Sequence, residues 1–199
     1  MRSRWLRAWP VAVAIGALVA GCALPVPAVH PDPKPADPPP VVQKEQIKRV
    51  ETALTETLTA STEAGSVAGL ATRVDGAALS MRQAEFAVHA ADPESELTEF
   101  QTVFRDDAIV EASSTWPRSF VTVTVPGNQV FPMIYLMTQS DARSPYKLMA
   151  WSTMLPQAVL PKVADSALGS KTLAADAEGL LMPPATALDT YAKAKDNPA

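Results

Sequence analysis

Three consecutive stretches between residues 116 and 155 are rich in β-branched and aromatic residues and are separated by short turn sequences. They run from Trp116 to Val125, from Gln129 to Thr138 and from Tyr146 to Leu155. Pro126-Gly127-Asn128 separates the first two, and residues 140–145 separate the last two. Because short connections join antiparallel neighbours, the sequence predicts a three-stranded antiparallel meander. Any fold for this chain must accommodate that sheet.

Two prolines limit how these strands pair, since proline has no backbone N–H to donate to a ladder. Pro117 is expected at the start of the first strand, and Pro132 at an edge or a bulge. The second and third strands are apolar on both faces. In a sheet with one solvated face, apolar and polar residues would alternate along each strand. We therefore expect one side of Tyr135 and Trp151 to be sealed within the chain. The other side should be only partly covered, leaving an apolar patch that marks an interaction site.

Helical periodicity precedes the meander. Apolar residues recur at intervals of three, four and four at Ile47, Val50, Leu54 and Leu58. This spacing predicts an amphipathic helix over Gln43 to Ser61 that packs on the sheet. A shorter helix is expected from Ser66 to Arg73, closed by a turn at Asp75-Gly76. The combination of helices and an antiparallel sheet predicts an α+β domain.

Two further segments complete the expected order of elements. The alanines of Ala77 to Ala90 favour a helix, whereas Phe86, Val88 and Ala90 alternate with Ala87 and His89 as in a strand. Of these two alternatives we expect a strand at Ala84 to Ala90. Pro183-Pro184 opens a last helix that runs to about Lys195.

The N-terminal sequence predicts where the protein resides. Three arginines lie within the first seven residues, and an uncharged apolar run from Val11 to Ala20 leads to Val19-Ala20-Gly21-Cys22. Residues 1–21 are typical of a secretory signal peptide. The ending in Gly-Cys resembles the lipobox of bacterial lipoproteins, which implies that a diacylglyceryl group is attached to the Cys22 thiol and that cleavage occurs before it. The alternative is a secreted protein with an incidental cysteine.

Cys22 is the one cysteine in 199 residues. If it is acylated, disulfides, thiolate metal ligands and cysteine catalysis are excluded from the folded part. Two acyl chains give lasting attachment, so we expect a protein anchored at the extracytoplasmic face of the cell membrane. Residues 22–42 then comprise the lipidated cysteine and a proline-rich linker. Its eighteen residues from Ala23 to Pro40 favour extended polyproline II and would span about 55 Å.

The charge balance excludes one class of partner. Residues 1–21 hold three of the 17 basic residues and none of the 21 acidic ones, so the remainder carries a formal net charge of −7. An acidic domain does not attract nucleic acid through its surface field. We expect residues 43–199 to form a single α+β domain whose partner is an envelope protein or an apolar ligand.

Acidic residues and one histidine offer an alternative, catalytic hypothesis. Asp106-Asp107 and Glu111 form the densest acidic stretch, and His89 is the one histidine after the linker. A hydrolase would use Asp107 or Glu111 with His89, and would bring them within hydrogen-bond reach. A solvated loop and a structural histidine are the simpler interpretation. We expect no metal site and no cofactor, since neither a calcium loop nor a dinucleotide motif is present.

Aromatic residues of the predicted strands are the candidates for ligand contact. Trp116 with its neighbour Arg118, together with Tyr135 and Trp151, would contact an apolar ligand or a partner, and Arg118 would engage an acidic group. Aromatic side chains on strands also form cores, which is the competing interpretation.

Three segments resemble a set of uncharacterised actinobacterial lipoproteins: Arg73 to Leu79, Trp116 to Phe120, and Ser144 to Leu148. The resemblance covers about residues 45 to 195. It implies a cone or cystatin-like α+β domain, with helices laid in the concave face of a curved antiparallel sheet. It transfers no catalytic residue. Because members of that set are longer, the domain here would correspond to the N-terminal part of such a protein. The expected function is that of a membrane-anchored, non-catalytic binding or interaction domain.

Overall fold

The computed structural model describes residues 38–125, 131–155, 158, 160 and 162–196. The chain divides into two units, Met1–Lys34 and Pro35–Ala199, and every described residue belongs to the second. The predicted signal peptide, Cys22 and most of the linker therefore lie outside the described residues. The predicted turn at Pro126-Gly127-Asn128 lies outside them as well.

The described residues contain three α-helices and four β-strands. These are α1 (Lys44–Glu63), α2 (Gly76–Ala91), β1 (Ile109–Val110), β2 (Arg118–Val123), β3 (Met133–Gln139), β4 (Lys147–Thr153) and α3 (Pro184–Asp196). The strands form one sheet in the order β1-β2-β3-β4, and every neighbouring pair is antiparallel. The predicted α+β class and the three-stranded meander are both confirmed.

The sheet differs from the predicted meander in two details. A fourth strand, β1, pairs with β2 through Ile109 opposite Val121. The register between β3 and β4 shifts at Leu136/Met137. Pro117 lies directly before β2, as expected, and Pro132 lies directly before β3 rather than within it. Neither proline is therefore required to donate within a strand.

Helix α1 has the predicted amphipathic stripe. Ile47, Leu54 and Leu58 are buried against the core. At its start the backbone N–H of Gln43 donates to the side chain of Gln46 at 3.0 Å, which satisfies a group that precedes the helix. The interval of three to four residues between apolar positions was sufficient to predict this helix.

The predicted strand at Ala84 to Ala90 is wrong, because these residues belong to α2. The buried positions of this helix are Ala78, Arg82 and Phe86, which are four residues apart. The alternation that suggested a strand does not match the pattern of burial, because Phe86 is buried but Val88 is 55% exposed. Because Arg82 occupies the middle buried position, the buried face of this helix does not have the regular spacing of apolar residues that predicts a helix.

The segment before α2 also differs from its prediction. The helix expected from Ser66 to Arg73 is reduced to a 3-10 turn at Leu70–Thr72. Asp75 does not close a helix but caps the next one, because its carboxylate accepts from the N–H of Gly76 at 2.9 Å. Gly76 has a φ of +54°, a conformation that glycine adopts without strain.

Backbone hydrogen bonds join the helical segment to the sheet. The N–H of Leu148 in β4 donates to the carbonyl of Arg73 at 2.8 Å, and the N–H of Asp75 donates back to Leu148 at 2.9 Å. On the other helix, the hydroxyl of Thr122 in β2 donates to the buried carboxylate of Glu51 at 2.6 Å. Both helices therefore lie on the same sheet.

The face of the sheet beneath the helices forms the core. Its buried side chains include Phe120, Met133, Tyr135, Met137 and Leu148. Tyr135 is fully buried, and burial raises the pKa of its phenol well above its ordinary value. Its partner across the ladder, Trp151, is half-buried and packs edge-on against Phe100 with ring centroids 4.9 Å apart. The predicted sealing of this side is complete for Tyr135 and partial for Trp151.

The opposite face of the sheet is partly covered. By the alternation of strand residues it carries Val121, Ile134, Leu136 and Ala150. Leu136 is 37% exposed and the other three are half-buried, whereas Val123 on the same face of β2 is buried. This agrees with the partial coverage that was predicted.

A buried arginine connects both helices to the segment that follows α2. Arg82 is inaccessible to solvent and donates to the carboxylate of Glu85 at 2.6 Å. It also donates to the hydroxyl of Thr62 at 2.6 Å and to the carbonyl of Thr98 at 3.2 Å. One arginine thus ties α1, α2 and the following segment together.

The C-terminal part of the described chain is largely exposed. Helix α3 confirms the last predicted helix, and none of its residues is buried. Upstream of it, Ser170 forms an isolated bridge with Glu111. Among the described residues there is no helix whose length and apolar character would let it cross a membrane.

Candidate functional site

Three arginines line one cleft at the end of the sheet where β2 begins and β3 ends. Arg118 is the first residue of β2 and pairs with Gln139, the last residue of β3. Arg49 reaches the cleft from α1, and Arg73 from the turn before α2. We call this site, with Trp116 and Tyr146 on its walls, the arginine cleft. Its volume is about 440 Å³, within the range of pockets that hold small ligands.

The position of Arg118 is fixed by a neighbouring aromatic ring. Its guanidinium carbon lies 4.1 Å from the centroid of the Trp116 ring, which is cation–π distance. The two residues are two apart in the sequence. The Nε atom of Arg118 is buried and has no hydrogen-bond partner among the described atoms. A buried, unpaired donor is costly for a folded protein. Nε of Arg82 in the core is in the same state, so this feature is not specific to the cleft.

Local structure explains how the other two arginines arrive here. Gln46, Arg49 and Val50 are three and four residues apart, so α1 presents them on one side to the cleft. Arg73 is held by its backbone, because its carbonyl accepts from Leu148 at 2.8 Å.

No carboxylate lines the arginine cleft. Within the described part of the chain, Arg49, Arg73 and Arg118 take part in no ion pair. Two acids near the rim are bound elsewhere. The oxygens of Glu111 accept from the Ser119 N–H at 2.8 Å and from Thr172 at 3.1 Å.

The second acid, Asp141, shapes the loop that closes one side of the cleft. One of its carboxylate oxygens accepts from the backbone N–H groups of Arg143 at 2.9 Å and Ser144 at 3.0 Å. The side chain of Gln139 donates to the Ser144 carbonyl at 2.6 Å. These bonds hold the loop that presents Pro145 and Tyr146 to the cleft.

Tyr146 provides a protonated phenol at the cleft wall. Burial raises its pKa to about 12, and the positive charge of Arg118 opposes this shift in part. Its hydroxyl has one weak contact, to the Val41 carbonyl at 3.4 Å. At neutral pH it therefore remains a hydrogen-bond donor.

The structure separates the four residues that the sequence marked for ligand contact. Trp116 and Arg118 lie together in the arginine cleft. Tyr135 is a core residue with no exposed surface, and Trp151 packs on the same core. A ring wholly surrounded by protein atoms does not meet a ligand from solvent.

The sequence did not single out Arg49, a charged residue of α1. It also gave no role to Arg73, although that residue begins one of the three segments that carry the family resemblance. Each of those segments contributes to the cleft, through Arg73, Trp116 with Arg118, and Tyr146. These three segments are the one feature of the sequence that points to the residues of the cleft, although the sequence does not show that they meet.

The residues of the hydrolase hypothesis do not come together in the described structure. His89 Nδ1 lies 2.7 Å from the Ser95 carbonyl. The carboxylate of Asp107 accepts from Nε and Nη2 of Arg105 at 2.8 and 2.7 Å, and Glu111 has the partners given above. Each group thus has a different neighbour, and the acid–base pair that the hypothesis requires is not formed among the described residues.

The described residues contain no cluster of three or more histidine, cysteine or acidic side chains that would hold a metal ion. No protein family, curated protein or solved structure matches the chain. The cleft and the N-terminal sequence are therefore the features from which we infer a function.

Proposed function

We propose that this chain is a lipid-anchored protein of the cell envelope whose folded domain binds an anionic ligand in the arginine cleft, without catalysis. The observation that carries the binding half is the grouping of Arg49, Arg73 and Arg118 with no carboxylate in the lining. Guanidinium groups are the side chains best suited to carboxylate and phosphate. The sequence that ends at Cys22 supports the anchoring half.

Anchoring is tested by replacing the acyl acceptor. We expect the wild-type chain, expressed in a bacterial host with an alkyne-labelled fatty acid, to be labelled and recovered with membranes. Cys22→Ala should lose the label and keep the precursor mass. Ala28→Ser, a linker change of similar size, is the matched control and should behave as wild type. A Cys22→Ala chain that remains labelled and membrane-bound at the wild-type level would contradict this proposal.

Anion binding is tested by thermal denaturation of the full chain in non-ionic detergent. Phosphate, sulfate, citrate and benzoate are compared at constant ionic strength, because a ligand at 100 times its Kd stabilises the folded state by about 2.7 kcal/mol. We expect at least one anion to raise the melting temperature of the wild type but not that of Arg118→Gln. Arg105→Gln, which removes an exposed arginine outside the cleft, should respond as wild type. Identical responses of the two variants would place the site elsewhere.

A further inference from the structure

We propose that the arginine cleft selects a phosphate monoester attached to an aromatic or other apolar group. This inference rests on the proposed anion-binding function and specifies the charge, shape and body of the ligand. Three features of the cleft lead to it, namely its charge, its donor geometry and its apolar wall.

The charge of the cleft calls for more than one negative charge on the ligand. Three arginines and no carboxylate are among its lining residues. Glu111 and Asp141, outside the lining, keep their negative charges, because the groups that donate to them are neutral. A carboxylate or a sulfate ester supplies one negative charge. A phosphate monoester carries about −1.5 to −2 near neutral pH and presents three strong acceptor oxygens. Its two charges and three oxygens can pair with more than one of the three arginines.

The donor geometry favours a tetrahedral oxyanion at Arg118. The guanidinium carbon of Arg118 lies 4.1 Å from the centroid of the Trp116 ring, and both residues line the cleft. A fixed guanidinium binds phosphate through two parallel N–H bonds, whereas an ammonium group acts as a point charge. The protonated hydroxyl of Tyr146 adds a neutral donor on the opposite wall.

The apolar wall requires a body on the ligand in addition to its phosphate. Four apolar residues line the cleft. Val42 is buried, whereas Val41, Val50 and Pro145 are partly or fully exposed. Inorganic phosphate would leave these side chains facing water, whereas an aromatic group would bury part of them. The cleft therefore favours an organic phosphate over the free ion.

The test is isothermal titration of the full chain in non-ionic detergent at pH 7.5 with matched ligands. Phenyl phosphate and phenyl sulfate share shape and differ in charge, and inorganic phosphate lacks the apolar body. We expect phenyl phosphate to bind at least about tenfold more tightly than phenyl sulfate, and several-fold more tightly than inorganic phosphate, as one additional charged hydrogen bond and one buried ring imply. Benzoate, a planar monoanion, should bind more weakly than phenyl phosphate.

Variants locate the effect. Arg49→Gln and Arg118→Gln should each weaken phenyl phosphate binding by about tenfold. Arg118→Lys should give an intermediate loss, because it keeps the charge and removes the planar fork. Arg105→Gln, outside the cleft, should leave the Kd unchanged. Far-UV circular dichroism and an unchanged unfolding midpoint without ligand establish that each variant is folded.

The same chemistry occurs in soluble phosphate esters and in the headgroup of phosphatidic acid. Dihexanoyl phosphatidate, which carries that headgroup and stays in solution, distinguishes the two sources when it competes with phenyl phosphate. Tighter binding of dihexanoyl phosphatidate assigns the cleft to a lipid headgroup, and tighter binding of phenyl phosphate assigns it to a soluble ester. Both results support the proposal.

The outcomes separate this inference from the proposed function. If phenyl sulfate or benzoate binds as tightly as phenyl phosphate, and Arg118→Gln abolishes all three, the cleft binds anions but does not select a phosphate monoester. The inference is then overturned and the proposed function stands. If no anion binds the wild-type chain, both are overturned.

Discussion

Replacement of the buried arginine at position 82 tests the physical account of the core most directly. Arg82 has no solvent-exposed surface, donates to Glu85, Thr62 and Thr98, and lies between two aromatic rings. Its guanidinium carbon is 4.6 Å from the ring centroid of Phe86 on one side. Arg82→Met retains the apolar stem and removes the charge together with all three hydrogen bonds.

The expected loss follows from what the substitution leaves behind. The carboxylate of Glu85 loses its cationic partner, and a carbonyl and a hydroxyl lose their donor. Removing one partner of a buried ion pair costs about 3–5 kcal/mol. Because the side chain of Glu85 is 22% exposed, water compensates in part. We therefore expect the free energy of unfolding to fall by about 2–4 kcal/mol.

Urea denaturation followed by far-UV circular dichroism measures this loss. With an m-value of about 2 kcal/mol per molar urea, the midpoint should fall by about 1–2 M. The double variant Arg82→Met/Glu85→Gln removes the unpaired charge and should regain at least half of the loss. Arg105→Gln breaks an exposed ion pair and serves as the control, with a change below about 0.5 kcal/mol. If Arg82→Met unfolds within 0.5 kcal/mol of wild type, on the order of a surface change, Arg82 does not hold these segments together.

Three further substitutions test other contacts, all by thermal or urea unfolding. Tyr135→Phe should lower the free energy of unfolding by about 1 kcal/mol, because it removes a buried hydroxyl bonded to a backbone carbonyl at 3.0 Å; no change would mean that this bond contributes nothing. Gly76→Ala should cost about 1–2 kcal/mol, because φ is +54° and the new methyl group would lie 2.8 Å from Met149 Cε; a stabilised variant would contradict that geometry. Burial raises the pKa of Glu51 above its ordinary value of 4.5, because the protonated form is favoured in the folded state. The stability that the protonated side chain contributes is therefore complete below pH 4.5 and is lost as the pH rises through the pKa of the folded state. The glutamine of Glu51→Gln does not titrate and still accepts from Thr122. The melting temperature of this variant minus that of the wild type should therefore rise between pH 4 and pH 8. If this difference does not change with pH, the pKa of Glu51 is not raised.

The parts of the fold that were predicted correctly are those with a long, unbroken period. Helix α1 repeats apolar residues over three turns, and β2 to β4 are each six or seven residues long. Strand β1 has two residues, which is too short for any alternation to be recognised. Helix α2 was missed because the centre of its buried stripe is Arg82. The burial of that arginine depends on partners up to twenty residues away in the sequence, which no local pattern contains.

The candidate site was predicted in part for the same reason. Trp116 and Arg118 are two residues apart, so their contact was accessible to sequence reasoning. Arg49 and Arg73 reach the same cleft from α1 and from the turn before α2, and only the packing of those segments on β2 and β4 brings them there. A charged residue on the polar side of a helix looks solvated until the neighbouring surface is known.

The acidic net charge of the chain and the arginine cleft act at different distances. A formal charge of −7 on the chain after residue 21 repels polyanions, whose many charges extend over the whole surface. A small dianion that contacts Arg118 and Arg49 lies within a few ångströms of the guanidinium groups. That separation is well inside the screening length of about 8 Å at physiological ionic strength. Local attraction therefore outweighs the surface field for a ligand that fits the cleft, whereas nucleic acid meets mainly the acidic surface. The expected exclusion of nucleic acid is therefore compatible with the proposed binding of a small anion in the cleft.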